Sequence, residues 1–563
     1  MLSVSGKNWE EINIDKRILE KIKTDYNLDE IIAKIIIDRK FDQSEIYSIN
    51  NSLDIQNPFR NILDFNLCYE TLDKTINNKE KILIVGDYDV DGCVATSLII
   101  KLLKKLNHKF TYYIPDRIKD GYGASLKLIK ELSKKNEIKL VIMLDCGSNS
   151  HEAVNYLNQN NIKSIIIDHH EIYKPYPKTK NIINPKKDCS YNQYNYMCSS
   201  ALTYFFIDFF LKKKKLKIKF ETNLIYVLLA LVADVMPLRK INRIIAKKVL
   251  STFNILDNDI FREIYKLKKK NNPLNINDLG FLISPILNSS GRIGQSKLPV
   301  ELLTNENSAI KKKIINDLNI LNDKRKFLEN NILKDIDLSL IEKENKEIII
   351  LKLSNINEGL IGIIAAKIKE YFNKPTIIFT NSGSFLKGSA RSTDNFNIGK
   401  YIKLALDKNL IISGGGHNLA AGLTLENFKL EHFENFLINS FKVNQKNSNL
   451  KYISKISLNS LNINFLNKLQ KLEPFGKDNS NPNFLIEDLK ILKPKIIKEK
   501  YVRCVLKNLS GKSANAISFY PLQTKISQNL IYNKNKIKII AQINQNLIGN
   551  NKSLQLTIVD VIL

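Results

Sequence analysis

Runs of apolar, largely β-branched residues that stop at acidic residues or histidine constrain the fold of this chain more than any other feature. The run at 163–167 stops at the triplet 168–170, and the runs at 81–86 and 138–144 stop at acidic clusters in the same way. Continuous β-branched residues are typical of a parallel strand that is covered on both faces. The carboxyl ends of such strands form the active crevice of open α/β sheets. The pattern therefore predicts a parallel sheet with polar groups gathered along one edge.

Side chains that bind metal ions follow these runs and one apolar helical segment. The candidates are Asp87, Asp89 and Asp91 after the first strand, Asp145 after a later strand, Asp168, His169 and His170 after the next, and Asp234 at the end of the segment 226–233. Carboxylate oxygens with imidazole and no thiolate favour Mn²⁺ or Mg²⁺ over zinc. Crowded carboxylates repel one another unless a cation neutralises them. An Asx-rich turn explains the first three acids equally well when they are taken alone, so the clusters together predict a site for two divalent ions.

The chain has a formal net charge of +29 over 563 residues. A charge of this size is typical of a protein that binds a polyanion, and nucleic acid is the natural candidate. The same sequence is rich in Lys, Asn and Ile and poor in Arg, Gly and Ala, a bias that an AT-rich genome also produces. Function and composition therefore remain two open explanations of the charge.

Neither a secretion signal nor a membrane anchor is predicted. The first residues lack a basic region followed by an apolar core. The most apolar run, 202–211, is too short to cross a bilayer and contains Asp208, so we expect a core helix there. The six cysteines form no CxxC pair and are expected to be reduced, mostly buried thiols. These features predict a cytoplasmic protein without membrane association.

The order of segments predicts several domains, because 563 residues exceed what a single core holds. Alternating strands and helices in the first half are typical of a parallel α/β sheet. Short strands with turns near the end are typical of a small barrel, and OB folds are its commonest basic form. We expect, in order, a helical lead-in at 1–55 that packs on the first domain, a parallel-sheet α/β domain at 56–304, a connecting helix at 305–345, a second, smaller α/β domain at 346–445 and an OB-like β-barrel at 446–563.

The acidic motifs, taken in order, resemble the four signature motifs of the DHH phosphoesterase superfamily. Further motifs at 287–292, 359–362, 387–392 and 415–422 are similar to those of the bacterial RecJ nuclease family, and 473–476 is similar to the segment that opens the oligonucleotide-binding region of that family. The resemblance spans nearly the whole chain in the right order. It implies that 56–304 is a DHH phosphoesterase domain, that 346–445 is a DHH-associated domain and that 446–563 binds nucleic acid.

The resemblance also implies a role for each candidate of the metal site. Two ions, Mn²⁺ or Mg²⁺, would be held by Asp89, Asp91, Asp145, His169 and Asp234. Asp145 would be the bridge, and Asp168 would orient His169, since metal-bound histidines usually need such a partner. His170 would contact the scissile phosphate and stabilise its developing charge. Asp87 belongs to the same catalytic set, either as a metal contact or as a hydrogen-bonding support.

A pocket for a 5′-phosphate is implied in the same way, with Arg292, Ser389 and Arg391 as its residues. The two arginines are among only eleven in a lysine-rich chain. Arginine binds phosphate through two parallel hydrogen bonds, so its retention is expected where phosphate is recognised. DNA contacts are also expected from Gly415, Gly416 and His417, through a backbone nest at 414–417 that binds phosphate. A tight turn with a structural histidine is the alternative for that segment.

The resemblance implies a monomeric, single-strand-specific 5′→3′ exonuclease that acts on DNA in repair and recombination and releases 5′-mononucleotides. Its expected substrate is single-stranded DNA with a 5′ end, and the family suggests a helicase and a single-strand-binding protein as partners. Relatives carry an aromatic residue and histidine where this chain has Ile356 and Asn357, so a contact from the second domain is expected to be weaker.

Two alternatives remain, of which the first belongs to the same superfamily and the second to a different functional class. One is a phosphoesterase for short oligonucleotides, cyclic dinucleotides or polyphosphate, and the length of the chain with its basic third domain argues against it. The other is a catalytically inactive DNA-binding scaffold, and the complete set of metal-ligand residues argues against that.

Overall fold

The computed structural model describes residues 1–117, 119–121, 123–134, 137–187, 190–443, 449–548 and 551–563. The chain forms two compact units, of which the first comprises residues 55–236 and 249–445 and the second comprises residues 1–54, 237–248 and 446–563. No helix of the described residues is long and apolar enough to cross a membrane. Cys189 lies outside the described residues, and the other cysteines are free and buried, as the sequence predicts.

A parallel sheet forms the centre of the first unit, with five strands in the described residues. Across the sheet these are Phe110–Tyr113, Ile82–Val85, Leu140–Leu144, Lys163–Ile167 and Ile182–Ile183. The parallel α/β domain and its strands near 81–86, 138–144 and 163–167 are thereby confirmed. The register pairs Val85 with Met143 and Leu144 with Ile167, so the acidic residues that follow these strands come to the same edge.

Helices surround this sheet and extend the domain. They are Leu63–Asn77, Val90–Lys105, Leu126–Lys134, His151–Gln159, Ser199–Lys213, Leu224–Ala233, Asp259–Leu267, Ile276–Asp278, Ser284–Ile293 and Leu298–Thr304, with a π-helical turn at Leu279–Ile283. Helix Lys240–Thr252 runs from one unit into the other. The apolar run at 202–211 lies in helix Ser199–Lys213 and is buried except for Asp208, which is half-buried. The predicted core helix is thereby confirmed.

The second α/β domain follows a connection that is helical, as predicted, with helices Ser308–Asp335 and Leu338–Glu344. Its sheet contains, in order, the described strands Ser413–His417, Ala420–Glu426, Phe385–Arg391, Thr376–Ser382 and Ile349–Lys352. Its helices are Glu358–Phe372, Ile398–Asp407 and Leu430–Val443. Ile349–Lys352 and Thr376–Ser382 pair in parallel, whereas the strands between 385 and 426 are antiparallel.

A β-barrel forms the centre of the second unit, which confirms the predicted OB-like domain. Its strands in the described residues are Phe484–Ile497, Tyr501–Lys507, Ser513–Ser518, Asn551–Ile562 and Ile537–Ile548, and pairing of the first with the last closes the barrel. A short strand, Ser454–Lys455, pairs in parallel with the start of Phe484–Ile497. The helices of this domain are Ile463–Gln470 and Lys525–Tyr532.

The N-terminal lead-in belongs to the barrel unit, so the expectation that it packs on the first domain is wrong. Its helices are Lys16–Tyr26, Glu30–Asp38 and Gln43–Tyr47, and its strand Trp9–Glu11 pairs in parallel with Leu450–Tyr452. Isoleucines 32, 35 and 36 of the second helix are buried in the same core as Phe484 of the barrel. Burial of this apolar face stabilises the contact between two segments that are far apart in sequence.

Candidate active site

Three carboxylates follow neighbouring strands at the carboxyl edge of the first sheet. Asp87, Asp145 and Asp168 are each at most 2% exposed. Asp145 has a φ of 60°, in the left-handed region, which costs energy for a residue with a side chain. Buried carboxylates at this density need hydrogen bonds or a cation to compensate for their lost hydration.

The predicted metal ligands form three overlapping groups, in each of which the ligand atoms lie within 4.8 Å of one another. The groups are Asp87 with Asp89 and Asp145, Asp145 with His169 and His170, and Asp91 with His169 and Asp234. The structure therefore brings together all the residues that the sequence singles out as metal ligands. Asp145 and His169 each occur in two groups, and a shared carboxylate is what a pair of neighbouring cations requires.

His169 lies where two of these groups meet. Its Nε2 is 3.4 Å from Asp145 Oδ1 and 3.5 Å from Asp234 Oδ2. Its Nδ1 has no hydrogen-bond partner among the described residues. Burial, together with the charge of His170, lowers the pKa of His169 well below its ordinary value, so the imidazole is neutral. The neutral form is the one that binds a metal ion.

Asp168 binds the ring of His170, whereas the sequence predicts that it orients the ring of His169. Asp168 Oδ1 accepts hydrogen bonds from His170 Nδ1 at 2.8 Å and from the backbone N–H of His169 at 2.7 Å. Its Oδ2 accepts one from the backbone N–H of Ser148 at 3.0 Å. The prediction is wrong about the ring because an aspartate at a turn reaches the groups one and two residues ahead of it. Asp168 thus fixes the imidazole of His170 and only the backbone of His169.

His170 is positively charged at neutral pH. Burial acts to lower its pKa, but the Asp168 carboxylate and the hydrogen bond to it raise the pKa to about 9. The ring lines the cavity described below. A protonated imidazole cannot bind a metal, so the predicted contact with a phosphate group fits this residue better than metal ligation.

The N-terminus of helix Ser199–Lys213 points at the carboxylates, a contact that the sequence analysis did not anticipate. The backbone N–H groups of Ser199 and Ser200 donate to the two oxygens of Asp91 at 2.8 and 2.9 Å. The Ser199 hydroxyl donates to Asp145 Oδ1 at 2.8 Å. The partial positive charge of a helix N-terminus stabilises such anions. The sequence did contain a sign of this contact. Two serines come just before the apolar run of the predicted core helix, and serine is common where a helix begins.

Asp87 is better placed to bind a metal than to act as a hydrogen-bonding support. Its Oδ1 is buried and has no hydrogen-bond partner among the described residues. Burial, and then the charge of Asp89, raises the pKa of Asp87 well above its ordinary value. Burial, and then the charge of Asp91, does the same for Asp145. A divalent cation among these oxygens would offset both effects.

The donor set fits a hard divalent cation. The three groups offer carboxylate oxygens and imidazole nitrogens. Burial raises the pKa of the nearby thiols of Cys93 and Cys146 well above its ordinary value, so these two residues stay protonated. Oxygen-rich sites without thiolate suit Mn²⁺ or Mg²⁺.

A cavity of about 320 Å³ joins the carboxylates to a group of arginines. Its lining includes Asp87, Asp89, His170 and Asp234 together with Arg117, Arg292 and Arg391. Burial, and then the charge of Arg117, lowers the pKa of Arg292 to about 10, and the same two causes lower that of Arg391. Cations that repel one another around a cavity attract an anion.

Neighbouring groups position the predicted arginines. Arg292 Nη1 donates to the backbone oxygen of Gly359 at 3.0 Å, and Arg391 Nη1 donates to Ser389 Oγ at 3.2 Å. A Cβ on Gly362 would lie 3.0 Å from both Arg391 Nη2 and Ser389 Oγ. The glycines of this segment therefore let helix Glu358–Phe372 approach the arginines closely.

Arg117 is a candidate that the sequence analysis missed. Its guanidinium lies 5.4 Å from the centre of the Tyr88 ring, and both residues line the cavity. The signal was present, because arginine is rare in this chain and Arg117 comes shortly after the strand Phe110–Tyr113.

The segment 413–417 is a β-strand that pairs with Ala420–Glu426, so both the predicted backbone nest and the alternative tight turn are wrong. The strand is extended and lies at the edge of the sheet with one neighbour, and the turn falls at 418–419. His417 nevertheless reaches the site, since its ring lies 6.1 Å from that of His170 at an angle of 22°. Gly415 and Gly416 lie in the same strand.

The departure at 356–357 has a structural role. Asn357 Oδ1 accepts a hydrogen bond from Gly359 N–H at 2.7 Å and so caps helix Glu358–Phe372. Ile356 packs against the apolar cluster under that helix. Asparagine is a favoured N-cap, so the change supports the helix whose glycines meet the arginines.

Three domain families match the chain. They are the DHH family, N-terminal domain, over residues 81–232, the DHHA1 domain over 345–442 and the RecJ OB domain over 454–560. These matches cover the two α/β domains and the barrel in the order in which the structure has them.

Relatives align over almost the whole chain. The single-stranded-DNA-specific exonuclease RecJ of Bacillus subtilis is 25% identical over an alignment of 571 positions, which covers 99% of this chain and 71% of that protein. The crystal structure of RecJ from Thermus thermophilus in complex with Mn²⁺ superposes with a TM-score of 0.82 at 18% identity, over 98% of this chain and 79% of that one. The structure of the same protein with Mg²⁺ superposes with a TM-score of 0.75 at 17% identity, over 99% and 78%. The fold is therefore that of these structures.

Proposed function

We propose that this chain, a member of the DHH phosphoesterase superfamily with the domain composition of RecJ, is a metal-dependent exonuclease that degrades single-stranded DNA from the 5′ end. The proposed reaction is phosphodiester hydrolysis with two divalent ions, and the proposed products are 5′-mononucleotides. The observation that carries the proposal is that one cavity contains both the carboxylates and the arginine group.

The metal-binding residues are assigned from the groups described above. Asp87 and Asp89 would hold one ion, Asp91, His169 and Asp234 would hold the other, and Asp145 would bridge the two. When bound, Mn²⁺ or Mg²⁺ would lower the pKa of a water molecule and neutralise phosphate oxygens. The crystal structures of the Thermus relative contain these same metals, which supports the choice.

His170 would stabilise the charge that develops on the scissile phosphate. Its Nδ1 proton is committed to Asp168, so the imidazolium offers its Nε2 proton to a phosphate oxygen in the cavity. The Asp168 carboxylate keeps the ring charged and oriented before the substrate arrives. A fixed donor costs no reorganisation during the reaction, which is why such donors accelerate it.

The proposed polarity depends on the arginine group. A terminal 5′-phosphate carries a charge of about −2, and its three terminal oxygens can pair with several guanidinium groups. Arg117, Arg292 and Arg391, with Ser389, would bind that end. The next phosphodiester along the strand would then lie against the carboxylates, so that each hydrolysis releases one nucleotide.

The wider role follows from the domain composition. The barrel and the net charge of +29 support binding of a long single strand, which a phosphoesterase for dinucleotides does not need. We propose a cytoplasmic, monomeric enzyme of DNA repair and recombination, supplied with single strands by a helicase and a single-strand-binding protein.

Hydrolysis of 5′-labelled, 5′-phosphorylated oligonucleotides with Mn²⁺ tests the proposal. Asp145→Ala is expected to abolish hydrolysis and to leave binding of the single strand largely intact, whereas Asp335→Ala, at an exposed position on the connecting helix, is expected to leave both unchanged. Hydrolysis that survives in Asp145→Ala would refute the assignment of the site. Faster turnover of a dinucleotide than of a long strand would favour the small-substrate alternative.

A further inference from the structure

Phe281 is, at 83%, the most exposed large apolar side chain of the described residues. It lies in the π-helical turn Leu279–Ile283, which leads into helix Ser284–Ile293. π-helical turns are rare in proteins, and many of those that do occur lie at functional sites. A single exposed apolar residue is common on protein surfaces, so its surroundings decide what it means.

Phe281 extends a helix face that ends in the active-site cavity. Phe281, Pro285, Asn288 and Arg292 are spaced by four, three and four residues, and each is exposed or half-buried. Such a spacing places side chains on one face of a helix. Asn288 and Arg292 line the cavity. With a rise of 1.5 Å per residue, Phe281 lies about 10 Å from Asn288 along this face.

The same turn packs against the helix that carries a metal-binding candidate. A Cβ on Gly280 would lie 3.3 Å from Val232 Cγ1, and Val232 comes two residues before Asp234. The turn that contains Phe281 therefore contacts the helix that ends just before Asp234 and leads into the helix whose residues Asn288 and Arg292 line the cavity. A strand whose 5′ end is held by the arginine group has to continue past the residues that line the cavity, and Phe281 lies on the helix face that continues from two of them, Asn288 and Arg292.

A basic loop is fixed to the segment just before the exposed ring. Asp278, three residues before Phe281, pairs with Lys270 and accepts a hydrogen bond from the Tyr265 hydroxyl at 2.8 Å. The loop so fixed also contains Lys269, which is exposed. Exposed aromatic rings are what proteins use to bind a single strand without sequence preference, because any base can stack on the ring while basic residues elsewhere along the strand face its phosphates.

We propose that Phe281 stacks on a base of the bound single strand within the first few nucleotides from the 5′ end, on the 3′ side of the scissile phosphate. The proposal rests on the proposed function and adds to it a binding site for the strand outside the catalytic cavity. Stacking there holds the remaining strand against the helix face while the terminal nucleotide is hydrolysed.

Fluorescence of 2-aminopurine tests the contact without catalysis. Full-length protein in EDTA is titrated with 5′-phosphorylated oligothymidylates that carry one 2-aminopurine at successive positions from the 5′ end. The expected result is quenching at an early position other than the first, lost in Phe281→Ala and retained in Phe281→Tyr. Phe281→Leu separates stacking from apolar burial, and we expect it to behave as Phe281→Ala does. An unchanged quenching profile in Phe281→Ala would overturn the proposal.

Phe428→Ala is the matched control. Phe428 is 74% exposed and lies beyond Glu426, at the end of its strand opposite to the end that pairs with Arg391. Its substitution is expected to leave the quenching profile unchanged. Loss of quenching in this variant as well would mean that the signal does not come from Phe281, and the proposal would fail.

Hydrolysis with Mn²⁺ supplies the second readout. Phe281→Ala is expected to raise KM for a long single strand roughly tenfold and to leave turnover of a 5′-phosphorylated dinucleotide unchanged, because a dinucleotide does not reach the ring. Equal losses on both substrates would indicate a purely structural role and would contradict the proposal. If no variant, including the wild type, hydrolyses the strand, the proposed function fails and the quenching profile alone decides the stacking.

Discussion

Asp168 and His170 form a 2.8 Å ion pair two residues apart in sequence, at the end of the strand Lys163–Ile167. The pair turns a histidine into a fixed cation on the wall of a cavity that three arginines also line. Its neighbour His169 stays neutral beside the carboxylates. Two adjacent imidazoles thus have different charge states, one suited to phosphate and one to a metal ion.

Asp168→Asn removes the charge that holds His170 protonated while it preserves the size of the side chain. We expect kcat on single-stranded DNA to fall roughly 10²- to 10³-fold, the usual cost of losing one preorganised donor to a developing oxyanion. Mn²⁺ affinity, measured by calorimetry, is expected to change little, because no assigned ligand is altered. Asp64→Asn is the control, since Asp64 is a buried carboxylate of the same domain that accepts a hydrogen bond from the Tyr191 hydroxyl. Equal losses in the two variants would contradict a specific role for Asp168.

Arg117→Ala tests the residue that the structure adds to the phosphate-binding group. We expect the ratio of kcat/KM for 5′-phosphate over 5′-hydroxyl ends to fall roughly tenfold to a hundredfold, the range for one charged hydrogen bond. Arg391→Ala is expected to act in the same direction. Arg262→Ala, which removes a 41% exposed arginine paired with Asp259, is expected to leave the ratio unchanged. A preference that survives in Arg117→Ala and Arg391→Ala would refute the proposed origin of polarity.

Gly92→Ala tests how closely the acidic loop is packed. A Cβ on Gly92 would lie 2.6 Å from the backbone nitrogen and oxygen of Asp87, and neither atom can move without shifting the loop. The expected cost is about 1–3 kcal/mol of stability, with weaker Mn²⁺ binding. Gly422→Ala is the control, because a Cβ there meets no atom within 4 Å. Thermal unfolding and Mn²⁺ titration measure both variants, and identical results for the two would contradict the packing argument.

Lys101 gives the first unit a predictable pH dependence. Burial, and then the charges of Lys311 and Lys104, lowers the pKa of Lys101 from 10.5 to about 8. Between pH 8 and 10.5 the unfolded chain therefore binds more protons at this residue than the folded chain, and stability rises with pH. The penalty is fully present below pH 8 and amounts to at most about 3 kcal/mol.

Lys101→Met is expected to remove that pH dependence from urea unfolding followed between pH 7 and 10. Lys105→Met, at an exposed position of the same helix that is not among the causes of the shift, is expected to leave it in place. The same slope in wild type and Lys101→Met would show that Lys101 is not the group responsible.

The parallel sheet and the acidic site were predictable because their signals are local. Each buried strand is a continuous apolar run, and each ligand follows directly at its end, as Asp145 follows Leu140–Leu144. The strand Ser413–His417 gave no such signal, since its glycines and histidine have little β propensity and pairing with Ala420–Glu426 determines its conformation.

Contacts between distant segments lay outside the reach of the sequence. Nothing in the helix Glu30–Asp38 indicates that its isoleucines pack with Phe484, because an apolar helix face specifies burial but not a partner. The hydrogen bond from Ser199 to Asp145 is of the same kind, as it joins residues 54 positions apart. The wrong prediction for Asp168 has another cause. Which of the two neighbouring imidazole rings it binds depends on the geometry of a single turn.

The order in which the two ends of one DNA strand are released tests the central claim most directly. A 5′-phosphorylated single strand, labelled at the 5′ end in one sample and at the 3′ end in another, is incubated with the full-length protein and Mn²⁺. We predict that the 5′ label appears at once as a mononucleotide, while the 3′ label stays on progressively shorter strands. Release of the 3′ label first, or of internal fragments from both samples, would contradict the assignment of the arginine group to the 5′ end.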